Sequence, residues 1–141
     1  MPRLTRWYIK SAFAYFILAL LVGVALGVMV NRPLNPLPTD LLPPYFHLLS
    51  EGWITMLIIG VAFWMFPKFS LERPRGSETL GWASYVLLNL GLIGRVVSEP
   101  VNSSLATPNS IWSILLIIAA ALQWLGGMAF VINTWPRIKE K

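Results

Sequence analysis

Between Pro43 and Pro67, in the stretch "PPYFHLLSEGWITMLIIGVAFWMFP", stands the only histidine of the chain, His47, with a carboxylate, Glu51, four residues on. An imidazole near neutral pH is a proton carrier and a metal ligand. A carboxylate one helical turn away can take up the proton of its second ring nitrogen. His47, Ser50, Glu51 and Thr55 are separated by steps of three and four, so a regular helix carries them on one face. Two readings stand for this group: a functional site, or polar residues in the outer turns of a membrane span that water or headgroups satisfy. Arg95 precedes Glu99 by four residues, which suits either an ion pair at a helix end or a guanidinium that anchors an anionic group. Ser84, Asn89 and Gln123 lie deep in apolar runs and are suited to hydrogen bonds between helices. Met56 and Met65 read as packing. With no cysteine in the chain, disulfides, cysteine-bound iron–sulfur clusters and thioether-attached haem are excluded, and any cofactor must use other ligands.

The elements that position these residues follow from composition. A 141-residue chain that is 56% hydrophobic and 12% charged is an integral membrane protein. Its net charge of +5 comes with no basic helix or aromatic–basic repeat, so nucleic acid is not a partner; the lipid bilayer is. Four apolar segments reach the roughly 20 residues needed to cross a bilayer core: Ile9 to Val30, Tyr45 to Phe66, Leu80 to Val97, and Ile111 to Ile132. Trp7, Tyr8, Tyr45, Trp64, Trp82, Trp112 and Trp135 fall near their ends, as an aromatic belt does. The first segment is longer than a signal-peptide core and has no clear small-x-small site, so it reads as a retained helix. The expectation is one domain, 1–141, an all-α membrane protein built as a four-transmembrane-helix bundle.

Orientation is set by cations. Arg3, Arg6 and Lys10 precede the first segment, Lys68, Arg73 and Arg75 join the second to the third, and Arg137, Lys139 and Lys141 follow the fourth; only Arg32 and Arg95 lie toward the other side. The excess puts both termini inside, in the inner (cytoplasmic) membrane of a prokaryote. The Asn31–Pro44 and Glu99–Ser110 connections then lie outside and read as ordered loops, with Pro44 in a first helical turn. Gly23 with Gly27, Gly52 with Gly60, Gly91 with Gly94, and Gly126 with Gly127 are close-approach points, either for helix packing or for the flat face of a porphyrin.

The order and spacing of His47, Gly52, Trp53, Gly60, Trp64 and Pro67 resembles the second helix of the catalytic subunit of haem-copper oxidases and related nitric-oxide reductases. The likeness continues through "LNLGLIGR" and "GGMAFVINTW", across most of this chain but only the first third of that subunit. In that superfamily the helix begins outside with a histidine that ligates a low-spin haem, so the resemblance implies that His47 is a metal ligand for non-covalent haem b. It departs from the family in having one histidine where the complete centre uses several, which excludes oxygen or nitric-oxide reduction by the family's mechanism.

The missing axial ligand is most economically supplied by a second copy, with a methionine or a partner protein's histidine as the alternatives. In a two-fold homodimer, His47 from each protomer would approach one haem from opposite faces. The expected site is His47, Glu51, Gly52, Gly60 and Arg95: Glu51 behind the imidazole, glycines along an apolar slot, and Arg95 on a propionate. Such a six-coordinate haem serves electron transfer, with a redox partner or quinone, while a five-coordinate variant would sense redox state or a diatomic gas. A non-catalytic accessory subunit of a respiratory or photosynthetic complex is the main alternative, and a small proton-coupled exporter stands behind it. No catalytic residue is expected.

Overall fold

A computed structural model describes residues 1–30, 41–104 and 110–138; these described residues are 88% helical and include no strand. Four long helices form it: α1 (Arg3–Val30), α2 (Leu42–Met65), α3 (Glu78–Ser104) and α4 (Ser110–Thr134). All four are long and apolar enough to cross a membrane, so this is a multi-pass membrane protein. Each contains the expected segment almost entirely; the largest difference is in α3, which runs through Pro100 to Ser104 rather than stopping at Val97. Proline removes one backbone donor, and the helix carries on past that single gap. Glu99 is therefore a helical residue whose carboxylate can turn back toward the bundle. Of the two connections expected as ordered loops, residues 31–40 and 105–109 lie outside the described residues; 99–104 is the end of α3 and not a loop, and Pro43 and Pro44 occupy the first turn of α2.

The most enclosed helix is α2: 39% of its apolar window is buried, against 11% for the last span. Its middle is not regular. Leu42–His47 and Met56–Met65 are α-helical, but Leu48–Thr55 is π-helical. A π turn inserts an extra residue and changes the direction of everything beyond it, and such turns are frequent at functional sites. Here the wide turn spans "LLSEGWIT", the segment that carries Glu51.

Close approach is made at glycines. A Cβ at Gly52 would lie 2.8 Å from Tyr15 Cβ and 3.0 Å from Leu92 Cδ2, and one at Gly60 would lie 2.8 Å from Tyr8 Cβ. At Gly91 and Gly126, α3 and α4 come so near that a Cβ would meet Gln123 Cγ at 2.6 Å and Leu88 Cγ at 2.8 Å. Lipid supplies no hydrophobic drive between helices, so dispersion at these contacts must hold them together. The core is Tyr8, Ala12, Met56, Ile59, Phe63 and Leu88, where α1, α2 and α3 meet; Met56 packs there as expected.

At the opposite end of α2 from His47, the chain needs partners for the last carbonyls of the helix. Arg137, just beyond α4 and 1% exposed, provides them: Nε donates to Pro67 O at 3.0 Å, and NH2 donates to Phe66 O at 2.8 Å and Phe63 O at 3.2 Å. A cation at a helix C-terminus also meets the negative end of its dipole. Arg137 thus fixes the end of α4 to the end of α2.

Candidate functional site

Five polar side chains from three helices form one connected network. His47 Nε2 stands 3.1 Å from Glu99 Oε1, the same oxygen to which Arg95 Nε donates at 2.8 Å. Arg95 NH1 donates to Gln123 Oε1 at 3.1 Å, and Gln123 Nε2 donates to Glu51 Oε2 at 2.6 Å. His47 and Glu51 come from α2, Arg95 and Glu99 from α3, and Gln123 from α4.

The network is deep. At about 1.5 Å per residue, Glu51 is about 13 Å along α2 from Leu42 and Gln123 about 20 Å along α4 from Ser110, close to the middle of each helix. Side-chain exposure is 27% for His47 and 13% for Glu99, so the imidazole is at the rim and the carboxylate behind it is enclosed. Two oxygens, Glu51 Oε1 and Glu99 Oε2, are buried with no hydrogen-bond partner. Desolvated carboxylate oxygens left without a partner are costly.

The structure divides the residues singled out in the sequence. His47, Glu51 and Arg95 are brought into one network, with Glu99 and Gln123 joining them. It is Glu99, rather than Glu51, that stands at the imidazole, while the Glu51 carboxylate is held by Gln123 of α4. Ser50 and Thr55 leave the group: they are exposed and bond back to Phe46 O at 2.7 Å and to Ser50 O at 2.9 Å on their own helix. Gly52 and Gly60 face α1, and the space above them holds Tyr15, Leu92 and Tyr8.

Ser84 and Asn89 bond across helices as expected. Tyr8 Oη donates to Ser84 Oγ at 3.0 Å, Ser11 Oγ and Tyr85 Oη are 2.7 Å apart, and Tyr15 Oη donates to Asn89 Oδ1 at 2.7 Å. Asn89 Nδ2 donates in turn to Tyr85 O at 2.7 Å. These neutral pairs form a ladder between α1 and α3 below the charged network.

No family model, curated protein or solved structure matches this chain.

Haem can be tested against this arrangement. No group of three or more histidine, cysteine or acidic side chains suited to a metal ion occurs among the described residues, and His47 is the one imidazole of the chain. Its Nε2 is turned onto Glu99, and the two glycine faces are covered. The residues as arranged in one chain do not fit a porphyrin inside the bundle. Arg95, the expected propionate partner, is already held by Glu99 and Gln123.

Proposed function

We propose that this chain is a proton-handling membrane protein whose centre is the His47–Glu99–Arg95–Gln123–Glu51 network. The observation that carries this reading is charge. Two carboxylates and one guanidinium leave the network at −1, and in a low-dielectric setting a cluster is favourable only near neutrality. One proton restores it. That proton has two kinds of seat: the imidazole of His47 at the rim, or one of the bare oxygens on Glu51 and Glu99. Both arrangements are neutral overall, so moving the proton between them changes where it is without changing net charge. The imidazole faces the side from which a proton arrives, and the enclosed carboxylates hold it away from water.

The positive-inside excess supports an orientation with both termini in the cytoplasm of a prokaryote, which puts His47 toward the outer surface. The protein then acts as a proton-exchanging site by itself or within a larger membrane complex. Infrared spectroscopy of the reconstituted protein tests this: wild type should show a protonated carboxyl band that grows in His47→Asn and vanishes in Glu51→Gln with Glu99 retained. A band indifferent to both changes would overturn the assignment.

A second reading has one observation in its favour: His47 is the single imidazole and lies at the surface of the bundle, beside Phe46, which is 60% exposed. Haem b held between the His47 rings of two copies, for electron transfer or sensing, would use that outer surface and require His47 to release Glu99. Its resemblance to the opening helices of haem-copper oxidases gives the same direction. A haem absorption band in the purified protein that is lost in His47→Ala and kept in Met56→Leu would establish it; colourless protein would remove it.

A further inference from the structure

The end of the bundle away from His47 carries a different kind of site. The first turn of α1, the connection between α2 and α3, and the first turn of α3 enclose a cavity of about 480 Å³. Its polar lining includes Arg3, Thr5, Arg73, Arg75 and Ser77, and also the carboxylates of Glu72 and Glu78; Leu4 and Phe63 form an apolar wall.

Its walls are fixed by hydrogen bonds. Phe69 N donates to Pro74 O at 3.1 Å, Gly76 N to Arg73 O at 3.1 Å, Arg73 N to Ser70 Oγ at 2.9 Å, and Ser77 N to Asn133 Oδ1 at 2.8 Å. Gly76 has φ +75°, and a Cβ there would come within 2.5 Å of Asn133 Oδ1. Both facts require glycine at the point where the connection is fastened to α4.

Three features of the cavity favour an anion. Arg3, Arg73 and Arg75 enter no ion pair among the described residues, although Glu72 and Glu78 line the same space. Thr5 is fully buried, and its Oγ1 has no hydrogen-bond partner. The first turn of α3, a 27-residue helix, brings the positive end of its dipole to the cavity. A buried hydroxyl without a partner is a donor awaiting an acceptor. Guanidinium groups bind phosphate through paired N–H donors.

We propose that this cavity binds a phosphate-bearing anion, with Arg3, Arg73 and Arg75 on its oxygens and Thr5 beneath them. The lipid phosphodiester of an anionic headgroup and free inorganic phosphate share this chemistry. The apolar wall of Leu4 and Phe63 suits the former, since the glycerol end of a lipid would continue along the bundle. The proposal is independent of the proton-handling reading, because no residue is common to the two sites.

Native mass spectrometry of delipidated full-length protein, titrated with phosphatidylglycerol, phosphatidylcholine or inorganic phosphate, tests it. Phosphatidylglycerol should bind at least tenfold more tightly than phosphatidylcholine, a factor of roughly five per favourable cation being expected near a membrane surface. Arg73→Gln with Arg75→Gln should weaken it by roughly twentyfold, while Lys10→Gln on α1 leaves it unchanged. Thr5→Val should weaken it further. The charge-keeping pair Arg73→Lys and Arg75→Lys should retain most of the preference, and unchanged helical circular dichroism shows that each variant folds. Inorganic phosphate that competes with the lipid, or binds while the lipid does not, identifies the same site with a soluble source. Equal binding of both lipids with no phosphate binding, or an arginine pair variant that binds as wild type does, would overturn the proposal.

Discussion

The ladder between α1 and α3 and the network between α2, α3 and α4 are both made of polar side chains within apolar helices, yet they are built differently. In the ladder, Tyr8–Ser84, Ser11–Tyr85 and Tyr15–Asn89 are neutral pairs, each hydroxyl meeting its partner at 2.7 to 3.0 Å. In the network, four ionisable groups and one amide share their contacts, Glu99 Oε1 serves two donors, and two carboxylate oxygens are left bare. A satisfied neutral pair holds helices together and does nothing more. On the proposed reading, a charged group with bare oxygens has a second protonation state available, which a satisfied neutral pair lacks.

The comparison is broken most severely at Arg95. Arg95→Leu leaves Glu51 and Glu99 without their cation and removes two charge-assisted hydrogen bonds from a side chain that is 31% exposed, so unfolding in detergent should become easier by about 3 kcal/mol, the upper end for hydrogen bonds to a charged group. Adding Glu99→Gln should restore part of the loss, because the uncompensated charge goes with it; such non-additivity is expected of groups that share partners. Arg137→Leu comes next. It removes donors from three carbonyls at the end of α2 and should destabilise by about 2 kcal/mol, the usual range for hydrogen bonds to a charged group.

The ladder should yield smaller and additive effects. Tyr15→Phe and Tyr8→Phe should each cost about 0.6 kcal/mol, the typical value for hydrogen bonds between membrane helices. The two residues are about 10 Å apart along α1, so the double variant should cost the sum. An additive result at Tyr8 and Tyr15 beside a non-additive one at Arg95 and Glu99 would sharpen the contrast. Glu51→Gln should change stability least, by under about 0.5 kcal/mol, since the amide still accepts from Gln123; its effect falls on the proton.

Much of this was legible in the sequence. The four spans follow from hydropathy, and Ser84, Asn89 and Gln123 were recognisable as residues that must bond between helices because an apolar run gives them no other partner. His47, Glu51 and Arg95 stood out for the same reason. Their pairing was not legible: helical spacing put Glu51 beside His47, whereas His47 meets Glu99 of α3 and Glu51 meets Gln123 of α4, contacts that only the packing of three helices defines. The role of Glu99 depended on α3 continuing beyond Pro100, which local propensity argues against. Arg137 read as one more topological cation; only the three-dimensional end of α2 shows the carbonyls it serves. Gly52 and Gly60 were legible as close-approach points, but not which surface approached them.

The central claim, one proton shared between His47 and the carboxylates, is tested most directly at the imidazole itself. The chain has one histidine, so ¹⁵N-histidine labelling gives a single ring spectrum in lipid. At a fixed neutral pH the wild type should show a mixture of imidazolium and neutral imidazole, and Glu51→Gln should convert it to neutral imidazole, because the network then reaches zero charge without the extra proton. A ring spectrum identical in wild type and Glu51→Gln would show that His47 and Glu51 hold no proton in common, and would contradict the account.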